Sequence, residues 1–490
     1  MKRFIKYASI ILTLVLFVSF ASSCGLFRIG EIVNGFLNPE TPIEELPLDE
    51  RANKVMEKMS AESKENESMD VNLKMVFEGM ALNGTEFTID ISGVSNYRYL
   101  ENGEYQYLQT QTISTILPGT DSDVSTHTLG FIDGKMFQAS IDGSLITRVY
   151  SELTSDEFKE HMDITYGTEE LDISEDDYVA LSCEKINNKW VTEFSIFTEH
   201  GVDVIQREIL SDVESLVAQT HTISEIVFTV VADADFNMTG YEISAEFEVV
   251  DEKYNDRPVP TLEYSVKAED VFSPKPLENI DFSKYTKVDD LRAFDTVNKL
   301  LNDKINDEYC ELVSEIKTEI IFKNGYNSQR QENEQKYSGY YKNTENGFEY
   351  SLIHSQLDST NDYRDVTMEY KDLTQVSSNG SYSQTESYKT DHEARLFIEE
   401  LIDPVGISID GLKSSSFYNG RTDLYKFEFE NAGAALGYTS ETFGASLKTN
   451  EAVLTITLEQ GEIVSYSYAL TMVANNGISV NITINCTYSK

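Results

Sequence analysis

Cysteine is scarce in this sequence: only four of its 490 residues are cysteine. One of them, Cys24, directly follows an apolar segment near the start of the chain, which leaves Cys183, Cys310 and Cys486. These three are far apart and odd in number, so no disulfide framework is indicated and at most one pair could form. We expect buried free thiols on strands.

Positive charge is also scarce. The chain has 39 Lys and Arg residues against 84 Asp and Glu residues, a net charge of −45. Such an acidic surface repels phosphate backbones and anionic lipid head groups, so we expect no nucleic-acid partner and no basic membrane-binding patch. Hydrophobic residues still make up 40% of the chain and aromatic residues 11%, which is enough for packed cores.

The apolar run near the N-terminus is short. Residues 10–20 follow a basic segment with Lys2, Arg3 and Lys6. Eleven helical residues rise only about 16 Å, roughly half of the hydrocarbon thickness that a spanning helix must cross. This pattern predicts a secretory signal peptide over residues 1–23 rather than a permanent membrane span.

The residues after this run are typical of a lipoprotein signal. Ala21, Ser22 and Ser23 are small, as signal peptidase requires, and Cys24 stands where a bacterial lipobox places the thiol that receives a diacylglycerol. We therefore predict lipid attachment at Cys24, with residues 24–47 as a lipidated tether at the extracytoplasmic face of the cell membrane. The alternative is an ordinary cleaved signal followed by a chance cysteine. Removing residues 1–23 would leave a net charge of −48.

Behind the tether, helical periodicity gives way to strand periodicity. Apolar residues at helical spacing occupy 48–59, and from 71 onward apolar and polar residues alternate. Asn83-Gly84 predicts a β-hairpin, and Asn102-Gly103 and Asp133-Gly134 predict further tight turns. The pattern predicts a meander of antiparallel strands preceded by a helix.

The second half of the chain repeats this order. A helical stripe over 288–305 precedes a strand pattern over 312–322, and the capping boxes Thr154/Glu157 and Thr390/Glu393 recur in the two halves. Segment 240–250 resembles 461–473, and 261–268 resembles 480–487. Only the first half has an extra apolar helical stripe over 202–217. We predict a tandem duplication: domain 1 over 48–270, a linker over 271–284 and domain 2 over 285–490.

In element order, each half resembles the LolA/LolB-like lipoprotein superfamily, whose relatives include LppX and LprG. The resemblance implies an α+β fold class: two tandem domains, each a curved antiparallel β-sheet, or half-barrel, with helices across its concave face. It also implies a cavity between helix and sheet for acyl chains or other apolar ligands. It transfers no catalytic and no individual binding residues.

Several catalytic signatures are incomplete. Ser314 and Lys317 match the S-x-x-K of penicillin-binding enzymes, but they lie in an alternating pattern, where residues three apart point to opposite faces. His392-Glu393 begins a zinc motif, but Leu396 replaces its second histidine. We expect no enzyme activity, no metal and no cofactor.

Two functions remain. The first is a non-enzymatic surface lipoprotein that binds a lipid or other hydrophobic ligand in a half-barrel cavity, present in only one of the unequal halves. The alternative is a structural or protein-interaction lipoprotein of the cell envelope with filled cores. Unfilled volume behind the helices at 48–59 and 288–301 would favour the first.

Overall fold

The computed structural model describes most of the chain from residue 42 onward. The described residues are 42–60, 68–80, 86–116, 123–143, 145–166, 177–198, 201, 221–249, 261–271, 273–324, 327–344, 347–357, 363–387, 391–406, 408–419, 422–436, 438 and 440–490. The predicted signal peptide, Cys24, the Asn83-Gly84 turn, Thr390 and the stripe over 202–217 lie outside these residues.

The described residues divide into two compact units. Of the described residues, the N-terminal unit contains those over 42–143 and 153–281, and the C-terminal unit contains those over 145–152 and 282–490. The sequence-based bounds place Leu145–Glu152 in domain 1, whereas the division into compact units places them in the C-terminal unit. The sequence-based domain bounds stay a prediction.

The described residues of the N-terminal unit include two α-helices and ten strands. Its helices are α1 (Leu48–Ser60) and α2 (Ser155–Tyr166). Its strands are β1 (Met69–Met80), β2 (Glu86–Tyr99), β3 (Tyr105–Ile116), β4 (Asp123–Ile132), β5 (Lys135–Asp142), β7 (Tyr178–Ile186), β8 (Lys189–Ile196), β9 (His221–Ala232), β10 (Met238–Val249) and β11 (Thr261–Asp270). They lie in the order β5-β4-β3-β2-β1-β11-β10-β9-β8-β7, and each neighbouring pair of these strands is antiparallel.

Local chemistry explains where these elements begin and turn. Asp133 and Gly134 both have positive φ (53° and 69°), as a tight hairpin turn requires, and they join β4 to β5. The first predicted capping box is confirmed: the Glu157 amide donates to Thr154 Oγ1 (3.2 Å), and the Thr154 amide donates to Glu157 Oε2 (2.9 Å). These bonds fix the start of α2.

The C-terminal unit has the longer strands. Its helices are α3 (Leu291–Asp303), α4 (His392–Ile402) and α5 (Ser440–Phe443). Its strands are β6 (Leu145–Glu152), β12 (Thr286–Lys287), β13 (Tyr309–Asn324), β14 (Asn327–Thr344), β15 (Gly347–Leu357), β16 (Tyr363–Lys371), β17 (Thr374–Ser378), β18 (Ser383–Ser387), β19 (Leu412–Tyr418), β20 (Asp423–Glu430), β21 (Leu447–Glu459), β22 (Glu462–Ala474) and β23 (Ile478–Ser489). Strand β12 pairs with β6 in parallel.

The main sheet of this unit runs β18-β17-β16-β15-β14-β13-β23-β22-β21-β20-β19. Without the edge strand β18, and counted from the first strand of each repeat, this is the strand order given above for the N-terminal unit. The predicted duplication thus appears as repeated topology. The fold class is therefore α+β, with two tandem curved antiparallel sheets and helices across the concave faces.

One residue-level detail of the predicted repeat is wrong. Aligning 261–268 with 480–487 matches the buried Tyr264 of β11 to Thr483, whose side chain lies on the outer face of β23. The buried side chains of the two strands match only when the second segment is shifted by one residue, to Ile484. A shift of one residue exchanges the two faces of a strand, so alternation decides the register.

The helices pack their apolar faces on the sheets. In α1, Ala52, Val55 and Met56 are buried in one cluster with Leu73 and Val266 of the sheet. The corresponding face of α3 is also buried, and its members are Leu291, Ala293, Phe294, Val297 and Leu301. The predicted helical stripes over 48–59 and 288–305 are thus core faces. Within the described residues, no helix is both long and apolar enough to cross a membrane.

Candidate functional site

The face of the C-terminal sheet that meets the helices is covered by α4 at one end. The Cys486 thiol donates to the Leu401 carbonyl oxygen of α4 (3.5 Å) and lies 3.4 Å from Ser314 Oγ. The Tyr488 hydroxyl donates to the Ile402 carbonyl oxygen (2.5 Å). Burial raises the pKa of the Cys486 thiol to about 12. This end of the inner face is a closed core.

The same face is open farther along β13. Ile316 and Ile320 lie two and six residues after Ser314, so their side chains point to the same face of the sheet. Both are nevertheless only half-buried. Phe322, next on this face, is 39% exposed. Their register partners on β23 include the buried Ile484 and Val480. An apolar floor thus continues beyond the cover that α4 provides.

Neutral amide side chains border this floor on β14. Ile320 pairs with Gln331, Ile316 with Gln335 and Phe322 with Gln329, so these amides lie on the same face as the floor. We call this set the inner strip; its members are Ile316, Thr318, Ile320, Phe322, Gln329, Gln331, Asn333 and Gln335.

The charged residues of the same two strands lie on the opposite face. They form cross-strand ion pairs there: Arg330 Nε lies 2.5 Å from Glu319 Oε1, and Lys317 Nζ lies 3.6 Å from Glu334 Oε2. Because side chains alternate across a strand, the inner strip itself carries no charge. It can bind apolar groups by burying them and neutral polar groups by hydrogen bonding, but it offers no charge to pair with a phosphate or carboxylate.

In the N-terminal unit, the space behind α1 is filled. Ala52 has no accessible surface and Val55 has 1%, so no water-sized space lies against either side chain. Arg51 fixes the helix at this place by donating to the Cys183 carbonyl oxygen of β7 (2.9 Å) and to the Leu46 carbonyl oxygen (2.9 Å). Leu291 and Val297 of α3 are also without accessible surface. The described residues therefore do not show the expected unfilled volume at these helix faces.

An aromatic cluster lies under α2. The Phe158 ring stacks on Phe131 with 4.7 Å between ring centroids, and it contacts Tyr105 and Tyr107. The Tyr107 hydroxyl donates to Gln109 Oε1 (2.7 Å) in this core, and burial raises the pKa of Tyr107.

Buried polar side chains continue from this cluster along the same face of β2 to β5. They are Ser95, Gln109, Gln111, Thr115, Gln138 and Ser140. The hydroxyls of Thr115 and Ser140 have no hydrogen-bond partner among the described atoms. Such groups cost folding free energy, about 1–3 kcal/mol each, which a neutral polar ligand or water would offset.

A hollow of about 200 Å³ lies on the other face of the N-terminal sheet. Lys74, Val76, Ser244, Glu263 and Ser265 are among its lining residues. They alternate with the buried residues of β1, β10 and β11, so they face away from α1. This hollow is not the cavity between helix and sheet that the family resemblance implies.

The structure shows where the residues of the incomplete catalytic motifs lie. Ser314 is buried in β13 and Lys317 is an exposed residue of the same strand, on the other face, as expected. His392 and Leu396 both lie in α4. Among the described residues, no group of three potential metal ligands comes together.

The predicted lipid-attachment residue, Cys24, lies outside the described residues. The other three cysteines are buried free thiols on β7, β13 and β23, as predicted. The inner strip was not predicted from the sequence, although Gln and Asn alternate with charged residues over 329–336 and this alternation indicates one uncharged face.

Comparison with known proteins adds little to this description. No protein-family model matches the sequence, and no curated protein is significantly similar to it. Among solved structures, LprF from Mycobacterium bovis aligns over 41% of this chain and 93% of its own, with 9% identity and a TM-score of 0.23. Transferrin binding protein B from Haemophilus parasuis aligns over 86% of this chain and 76% of its own, with 8% identity and a TM-score of 0.13. Structural similarity at these scores assigns neither a family nor a function to the chain.

Proposed function

We propose that this chain is a non-enzymatic lipoprotein of the cell envelope, anchored through Cys24, that binds a hydrophobic ligand on the inner strip of its C-terminal unit. The observation that carries the proposal is the partly exposed apolar floor, in which Ile316 and Ile320 are half-buried and Phe322 is exposed. Apolar surface left open on the face that elsewhere packs on helices favours a ligand that completes the burial.

The composition of the strip restricts the ligand. Its floor favours an alkyl chain or ring system, and the amides of Gln331, Asn333 and Gln335 favour neutral hydroxyl, ester or amide groups beside it. The resemblance to the LolA/LolB-like superfamily points to the same class of ligand.

The first test is native mass spectrometry followed by solvent extraction. We would purify the protein without detergent, measure its mass, and then denature and extract it. A discrete additional mass that disappears on denaturation and is recovered as a lipid supports the proposal and gives the ligand class.

Two adjacent residues of β13 provide a matched pair of variants. Ile320→Glu places a charge in the apolar floor, whereas Ile321→Glu places it on the opposite face of the same strand, and both residues are half-buried. We expect ligand to be lost from Ile320→Glu and retained by Ile321→Glu. Equal retention by both variants would contradict binding at the inner strip.

A second candidate is an interaction protein with filled cores. The fully buried faces of α1 and α3 favour it, because no described space opens behind either helix. A ligand-free mass, with no uptake when membrane lipids are offered, would support this candidate and exclude the first.

A further inference from the structure

Strand β14 extends well beyond its neighbour β15. β15 pairs with β14 from Thr344 back to Gln335, where the ladder ends opposite Gln356. Residues 327–334 pair with β13 on one side. On the other side of residues 327–333, no strand among the described residues pairs with them. The side chains of residues 328–333 are all exposed.

Within the described part of the chain, residues 327–333 therefore form an open backbone edge of seven residues. An open edge presents unpaired N–H and C=O groups that another strand can bind. The segment contains no proline, and its register with β13 runs without a bulge from Tyr309 to Asn324. Two of the usual protections against edge pairing are therefore missing here.

The sequence of the edge is complementary to itself when it is read in opposite directions. In an antiparallel pair centred on Gln331, Arg330 of each copy lies opposite Glu332 of the other, and Gln329 lies opposite Asn333. We propose that a second copy of this chain binds here, with the two β14 edges paired antiparallel about a two-fold axis at Gln331.

The charges select this register over its neighbours. Centring the pair on Glu332 would oppose two glutamates, and centring it on Arg330 would oppose two arginines; like charges directly opposite destabilise a sheet. Only the centre at Gln331 gives two opposite-charge pairs on one face and amide pairs on the other. Charge complementarity at the edge is also what two copies with a net charge of −45 each need in order to approach one another.

Charge reversal tests the contact. The full chain carrying Cys24→Ser, which removes the predicted acylation site, is studied by sedimentation velocity over a range of concentrations. We expect wild-type edges to form a dimer, and we expect Arg330→Glu and Glu332→Arg each to weaken it at least tenfold. Mixing the two variants restores opposite charges across the pair and should restore the dimer as a heterodimer.

A charge reversal away from the edge serves as the control. Glu311→Arg makes the same charge change on the exposed face of β13 away from the edge and should leave dimerisation unchanged. Circular dichroism checks that every variant is folded. A wild-type chain that stays monomeric at the highest soluble concentration, or variants whose mixture stays monomeric, would overturn the proposal.

Disulfide trapping tests the register. The two-fold axis places Gln331 opposite itself, with Cβ atoms about 4.5–5.5 Å apart, close enough for a disulfide after a small shift. Gln331→Cys should cross-link with itself under mild oxidation. Gln329→Cys should not, but it should cross-link when mixed with Asn333→Cys. If Gln331→Cys forms no more cross-linked dimer than Gln329→Cys alone, the proposed register is wrong.

Discussion

Replacing Phe158 by alanine tests whether α2 holds the N-terminal unit together. Phe158 has no accessible surface, and its ring stacks on Phe131 and contacts Tyr105 and Tyr107. Truncating a buried phenylalanine costs about 3–5 kcal/mol of unfolding free energy, through lost burial and the cavity that remains. We expect the upper part of this range, because each aromatic contact contributes about 0.5–1.5 kcal/mol beyond burial.

The single tryptophan makes the assay specific to this unit. Trp190 is buried in the N-terminal sheet and stacks on Phe236 with 6.0 Å between ring centroids, so its fluorescence reports unfolding of the N-terminal unit. Urea titrations of wild type and Phe158→Ala are compared with Phe197→Ala, whose side chain is 60% exposed. The control should lose less than about 1 kcal/mol. A loss for Phe158→Ala as small as that of the control would refute the packing described for α2.

Three further predictions concern single groups. Burial raises the pKa of the three thiols of Cys183, Cys310 and Cys486. In Ellman assays on the Cys24→Ser chain at pH 8, none of these thiols should therefore react in the native protein, and all three should react in urea. Burial lowers the pKa of His354, which stacks on Tyr337, below its usual 6.5, so the unfolded chain binds more protons. The unfolding free energy of wild type relative to His354→Phe should therefore be constant above about pH 7.5 and fall as the pH drops through 6.5; a pH-independent difference would contradict this. Gly411 has φ of +76°, and an added Cβ would lie 1.8 Å from the Glu430 carbonyl oxygen, so Gly411→Ala should cost at least about 2 kcal/mol in urea unfolding.

Much of the local structure could be predicted because side-chain periodicity reports the face that is buried. The stripe from Leu48 to Met59 became α1, and the alternation from Val71 to Met75 became β1 with those residues inward. The repeat was visible for the same reason: each copy must bury a helix stripe on an alternating sheet. Periodicity alone could not fix the match at Tyr264, where a shift of one residue exchanges the two faces.

The inner strip could not be predicted because it depends on where neighbouring elements end. Strand β14 has 18 residues and β15 has 11, and this difference leaves part of the β14 edge without a paired strand among the described residues. Nothing in the sequence of residues 327–334 states that β15 stops at Leu357 or that α4 covers Ser314 but not Ile316. Likewise, chain order alone gives no reason to assign Leu145–Glu152 to the C-terminal unit.

The overhang of the β13–β14 hairpin gives the two proposals a common residue. The Gln331 side chain belongs to the inner strip beside Ile320, and its backbone lies at the centre of the proposed two-fold pair. A ligand on the strip would therefore contact the strand that pairs with the second copy, and any effect of ligand on dimerisation must equal the effect of dimerisation on ligand affinity. We expect a ligand that orders Gln331 to favour the dimer. The edge then loses less conformational entropy when it pairs, because ligand binding has already ordered it. Sedimentation of ligand-loaded and solvent-extracted protein at equal concentration measures this coupling. An unchanged dimerisation constant would show that the strip and the edge act independently, although they share a strand.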